Sequence, residues 1–147
     1  MEVSLHHVGI IVPDLEKGVA FYKEWLDLNE HFHMEWDESN EVVGDIVDLD
    51  RSAATGVMLK GDGFRIELFE YSVPESAVDP ASAKSCDLGI RHLALHFDDI
   101  DEACQRLLDG GGTMHHAPVV SGSMRTVYCR DPFGNIIELM QSLKSTR

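Results

Sequence analysis

Four side chains stand out by type and spacing: His7, Glu67, His92 and Glu138. The run Leu5-His6-His7-Val8-Gly9-Ile10-Ile11-Val12-Pro13-Asp14-Leu15-Glu16 overlays Ile90-Arg91-His92-Leu93-Ala94-Leu95-His96-Phe97-Asp98-Asp99-Ile100-Asp101 at an offset of 85, which places His7 on His92. Gly63-Phe64-Arg65-Ile66-Glu67-Leu68 overlays Gly134-Asn135-Ile136-Ile137-Glu138-Leu139 at an offset of 71, which places Glu67 on Glu138. One imidazole and one carboxylate therefore recur in each half of the chain. Two nitrogen and two oxygen donors suit one divalent iron, manganese, cobalt, nickel or zinc ion and leave positions for water or substrate oxygens. A glutamate beside such an ion can also move a proton, so Glu138 and Glu67 are the catalytic candidates.

The elements around these residues must bring them to one face. Each histidine lies in an apolar run that reads as a strand of seven or eight residues, followed by an acidic helix cap at Asp14 or Asp99. Apolar residues at helical spacing follow: Leu15, Val19, Tyr22, Trp25 and Leu26, then Ile100, Ala103, Cys104, Leu107 and Leu108. Gly110-Gly111-Gly112 stops the second helix. Each glutamate lies on the second arm of a hairpin, with Lys60-Gly61-Asp62-Gly63 or Arg130 to Asn135 at the turn. The second strands are expected at Glu30 to Met34 and at Thr113 to His116.

The order is thus strand, helix, strand, strand, strand, twice over. The expected fold is α+β: two tandem βαβββ modules in a curved, half-barrel mixed sheet around a metal site. Module one spans about 4–71, the linker 72–89 and module two about 90–141. The first module is 14 residues longer between its histidine and glutamate, and this excess falls in Asp37 to Asp50 as a loop or short helix. Strand alternation sends Val8, Ile10 and Val12, Leu93, Leu95 and Phe97, and Ile66, Leu68, Ile137 and Leu139 beneath the helices. The four ligands share the opposite face.

The same parity nominates a substrate pocket: His96 and Arg65, Phe69 and Met140. His96 is a candidate proton shuttle or substrate contact. Arg65 either neutralises an anionic substrate or pairs with an acidic neighbour. Trp36 and Met34 are expected to begin the long first-module insertion and are candidates to wall the pocket. His6 has the wrong parity and reads as a surface or edge residue; His31, His33, His115 and His116 read as exposed or second-strand residues, with one of them left as a candidate to reach the cavity. Tyr22 and Trp25 read as core.

The whole chain, at 147 residues with a formal charge of −14, fits a single domain of two packed halves. That charge disfavours nucleic acid and anionic membrane surfaces as partners. No apolar run is long enough to span a bilayer, and the first residues lack a signal-peptide pattern, which predicts a cytoplasmic location. Three cysteines without a C-x-x-C pair predict neither a disulfide framework nor a thiolate zinc site. The open edges of paired modules predict a homodimer.

The segments H-H-V-G-I-I-V-P-D-L, I-E-L, R-H-L-A-L-H-F-D-D-I and D-P-F-G-N-I-I-E-L resemble the four signature strands of the vicinal oxygen chelate superfamily. The resemblance runs from about Leu5 to Gln141. It implies paired βαβββ modules enclosing a metal. The four-ligand pattern resembles glyoxalase I and methylmalonyl-CoA epimerase, which implies a metal-dependent lyase or isomerase moving a proton next to a metal-bound carbonyl of a small substrate. An iron-dependent extradiol dioxygenase using His7, His92 and Glu138 is the alternative, with the extra carboxylate Glu67 against it. A drug-binding or fosfomycin-resistance-type protein is a further one. No glutathione- or coenzyme A-binding signature accompanies the ligands.

Overall fold

The computed structural model describes residues 1–143, and the chain divides into two compact units, Met1–Ala77 and from Val78 onward. In the first unit, β1 (Val8–Ile11) leads into α1 (Leu15–Leu26) and β2 (Asn29–Trp36). A short helix, α2 (Glu41–Val47), precedes the hairpin of β3 (Ala53–Lys60) and β4 (Arg65–Val73). The sheet order is β1-β4-β3-β2, with β1 parallel to β4 and the other pairs antiparallel. Asp14 caps α1 by accepting from the Lys17 amide at 3.0 Å, as a helix N-terminus requires.

Tyr22 and Trp25 are fully or almost fully buried, together with Ile66, Leu68, Val57 and Leu59 from the sheet. That layer is the unit's core. Phe21 and Gly18 join it, although the apolar periodicity did not mark them. Gly18 is there for proximity, since a Cβ at that position would stand 3.1 Å from a Val12 methyl.

In the second unit, a 3₁₀ turn (Pro80–Ser82) comes before β5 (His92–His96) and α3 (Ile100–Asp109). Then follow β6 (Thr113–Met114), β7 (Val119–Ser121), β8 (Met124–Arg130) and β9 (Ile136–Ser142). The sheet runs β5-β9-β8-β6, with β7 also on β8 and β5 parallel to β9. Ile100, Leu107, Ile137 and Leu139 are its buried centre. Among the described residues the architecture is the expected α+β arrangement of mixed sheets, present as two separate open sheets of four and five strands.

Several local expectations are corrected. The first strand is four residues long, because its ladder to β4 opens at Val8↔Ile66; His7 stands just outside it. The expected strand at Thr113 to His116 keeps two residues, and the pairing with β8 resumes only at Val119, beyond Pro118, whose ring nitrogen has no proton to donate. Leu108 is 43% exposed instead of buried. Of the three consecutive glycines, Gly111 takes the positive φ of 92°, while Gly110 caps α3 at φ −79°. Part of the expected linker is docked onto its own unit: the Arg130 guanidinium donates to the carbonyls of Pro80, Ala83 and Gly134.

Candidate metal centre

Each unit carries one histidine–glutamate pair on the sheet face away from its helix. In the first, His7 Nε2 lies 3.1 Å from Glu67 Oε2; in the second, His92 Nε2 lies 3.3 Å from Glu138 Oε2. The two pairs are also alike in exposure, with imidazoles 35% and 36% exposed and carboxylates 15% and 17%. Neighbouring ligand atoms held at about 2.1 Å on a single cation stand roughly 3.0–3.4 Å apart. The donor types suit a divalent cation, at separations that a histidine–carboxylate ion pair also takes. Among the described residues, no group of three or more His, Cys, Asp or Glu is gathered closely enough to hold a metal ion, so the chain presents its four expected ligands as two pairs.

Neighbouring side chains orient the candidate ligands. His6 Nδ1 and His7 Nδ1 are 2.7 Å apart, which occupies one nitrogen of the His7 ring and leaves Nε2 toward Glu67. His6 thus lies against His7, a position that strand parity could not find because His7 precedes the ladder. In the second unit, the Thr126 hydroxyl lies 2.9 Å from Glu138 Oε1 and 3.1 Å from the Leu139 carbonyl. Tyr128 faces Glu138 across the β8–β9 ladder. Its hydroxyl is 3.4 Å from both nitrogens of His92, and the ring centroids are 4.9 Å apart. Equal distances to two nitrogens do not single out one directed hydrogen bond. Thr126 and Tyr128 were not singled out in the sequence, although their alternation on the strand opposite Glu138 is legible there.

Burial, and then the adjacent Glu67 charge, raise the Tyr71 phenol above its usual range. Burial and Glu138 do the same for Tyr128. Each phenol keeps its proton through neutral pH.

The nominated pocket residues divide. Phe69 packs against Trp36 and Tyr71, with centroids 5.4 and 6.1 Å away. Trp36 and Met34 lie on β2, not in the insertion that follows it. Met140 sits between Thr126 and His96 in the ladder. His96 Nε2 accepts from the Ser142 amide at 3.1 Å and lies 2.9 Å from the Ser142 hydroxyl, so that nitrogen carries the lone pair. Arg65 faces Lys60, and among the described residues its guanidinium has no ion-pair partner. A surface depression of about 700 Å³ between α1 and β2, lined by Glu16, Lys23 and Glu30, contains none of the four ligands.

Comparison with known proteins places the chain in a family. The model of the Glyoxalase/Bleomycin resistance protein/Dioxygenase superfamily matches residues 4–139. A 2-epi-5-epi-valiolone epimerase from an Actinomyces species is 30% identical over 148 residues, covering 94% of this chain and 79% of that one. A lactoylglutathione lyase from Salmonella typhimurium is 28% identical, covering 99% and 97%. The crystal structure of a glyoxalase family protein from Bacillus cereus superposes with a TM-score of 0.85 at 27% identity, covering 97% of this chain and 96% of that one. With the fold, the repeated pairs and these matches in agreement, the chain belongs to the glyoxalase/bleomycin resistance protein/dioxygenase superfamily.

Proposed function

We propose that the protein is a metal-dependent lyase or isomerase that moves a proton next to the carbonyl of a small oxygenated substrate. His7, Glu67, His92 and Glu138 are its ligands, and Glu67 or Glu138 is its base. The observation that carries this reading is the pair of nitrogen–oxygen separations, 3.1 and 3.3 Å, repeated in two units with matching exposure. The relatives support the same chemistry at a coarse level, one being named an epimerase and another a lyase. Held by these four residues, a divalent cation would supply Lewis-acid polarisation of a substrate carbonyl. The chain's own residues supply the carboxylate that takes the proton, the histidines that hold position, and the hydroxyls of Thr126 and Tyr128 beside the second pair.

The test is elemental analysis of the purified protein together with Glu67→Ala and Glu138→Ala. Each variant is expected to lose most of its bound metal. If both retain full metal, the four-ligand reading fails. Loss in Glu138→Ala alone, with oxygen uptake on a catechol panel after iron loading, would instead favour the dioxygenase triad. We propose further that the protein works as a cytoplasmic homodimer.

A further inference from the structure

β2 is the open edge of the first sheet. The order β1-β4-β3-β2 gives it β3 on one side and, among the described residues, no strand on the other. At eight residues it is also the longest edge strand among the described residues; β1, β5, β6 and β7 have four, five, two and three. Such an edge presents a row of unpaired backbone N–H and C=O groups, which is a template for another strand. Proteins commonly blunt these edges with lysine or proline, and the run Asn29-Glu30-His31-Phe32-His33-Met34-Glu35-Trp36 contains neither.

One irregularity is present. The ladder to β3 shifts register between Glu30 and Phe32, so the strand is regular from Phe32 to Trp36. Within that stretch Phe32, Met34 and Trp36 share the rows of Met58, Gly56 and Ala54, on the face that carries Glu67. His33 and Glu35 lie on the opposite face. Phe32 is 43% exposed, His33 and Glu35 are exposed as well, and among the described residues the Glu35 carboxylate has no ion-pair or hydrogen-bond partner. His33 Nε2 lies 3.0 Å from a Glu30 carboxylate oxygen, at an exposed position where water competes for the contact.

This segment is complementary to itself. Placed antiparallel to a second copy with Met34 opposite Met34, it sets Phe32 opposite Trp36 and His33 opposite Glu35, and symmetry repeats both pairs. Aromatic pairs and imidazole–carboxylate pairs are favourable across strands. A slip of one residue loses this match, since it centres the pairing on His33 against His33 or on two Glu35 carboxylates face to face.

We propose that Phe32–Trp36 is the docking edge for a second copy of this chain, paired antiparallel about a two-fold axis at Met34, so that two first-unit sheets join into one of eight strands. The proposal rests on the homodimer reading above and names its surface. The axis runs perpendicular to the sheet, so the faces carrying Glu67 come to the same side in both copies. Each Phe32 is then covered by the partner's Trp36.

The test uses the full chain with Cys86→Ser, which removes the exposed thiol and keeps the two buried ones. Adding Met34→Cys sets two sulfurs across the axis, where directly opposed Cα atoms are about 4.5–5.5 Å apart and within disulfide reach. Mild oxidation with diamide is expected to give a linked dimer on a non-reducing gel. Phe32→Cys is the control: its two sulfurs would stand roughly 14 Å apart and should stay unlinked. His33→Glu puts like charges opposite each other at both symmetric pairs and should raise the dimer dissociation constant, read by sedimentation, by about tenfold. Combining it with Glu35→His restores unlike pairs and should bring the constant back to within about twofold of wild type. Thermal melts establish that each variant is folded.

A wild-type dimer that Met34→Cys fails to link, that Phe32→Cys links equally well, or whose dissociation His33→Glu leaves unchanged overturns the β2 edge and leaves the homodimer standing on another surface. A wild-type chain that sediments as a monomer removes both readings.

Discussion

The two carboxylates of the candidate site are held differently. Among the described residues Glu67 has His7 as its side-chain partner, whereas Glu138 also has the Thr126 hydroxyl at 2.9 Å. Partners of this kind fix a ligand's orientation, and their loss typically costs 10–100-fold in metal affinity. Thr126→Val keeps the shape and removes the hydroxyl, so metal affinity in a chelator competition should fall by about tenfold. Thr126→Ser should recover most of it; equal affinity in Val and wild type would refute the positioning role. The cysteines make a second prediction. Cys86 is exposed, while Cys104 and Cys129 are buried, and burial pushes the Cys129 thiol up to about 12. A thiol reagent at pH 8 should therefore titrate one group in the native protein and three in denaturant. Because Cys129 holds its proton more tightly when folded, its contribution to stability is complete below the unfolded thiol value of about 8.5 and is lost as pH rises toward 12. At this scale the repeat made the two histidine–glutamate pairs legible. Their orienting partners were not, because whether His6 reaches His7 depends on where a ladder starts.

Among the elements, the turn between β8 and β9 has a clear physical basis in its sequence. Asp131 is 2% exposed, and its Oδ1 accepts from the amides of Phe133 and Asn135 at 3.0 and 2.8 Å. Its Oδ2 accepts from the Asn135 side chain at 2.8 Å, and Gly134 supplies the φ of 95° that a bulkier residue adopts poorly. The segment Asp131-Pro132-Phe133-Gly134-Asn135 is thus a carboxylate-centred clasp that fixes where β9, and with it Glu138, begins. Asp131→Ala leaves these donors unmet in a buried place and should cost about 3 kcal/mol in urea unfolding; a loss under about 1 kcal/mol would show that water replaces the carboxylate. Hairpins and helices of this chain were legible because their signals are local: caps at Asp14 and Asp99, glycine turns, and period-two alternation. The second strands were legible only in outline. β2 gains its extra residues, Asn29 and then Glu35 and Trp36, by pairing with β3, and the interruption near Pro118 splits its counterpart. Such limits are set by the partner strand, which local propensity does not contain.

For the molecule as a whole, the proposed four-ligand centre requires the two histidine–glutamate pairs to meet around one ion. The described chain holds its candidate ligands as two pairs, each formed within its own unit, and large apolar side chains such as Ile11 (45% exposed) and Phe32 (43%) lie open on the first sheet. A second copy that covers such surface is the common solution, and a two-fold axis presents each copy's pairs to the other symmetrically. If the first pair of one copy shares its ion with the second pair of another, Glu67→Ala and Glu138→Ala proteins damage opposite halves of every centre. A mixed dimer then contains one doubly damaged centre and one intact centre. Unfolding the two inactive variants together and refolding them should therefore restore metal binding and turnover to about a quarter of the wild-type sites, the share expected from random pairing. Each variant refolded alone should stay inactive. No recovery from the mixture, with dimers present by sedimentation, would place both pairs of a centre in the same chain, because no exchange of partners could then rebuild a complete ligand set.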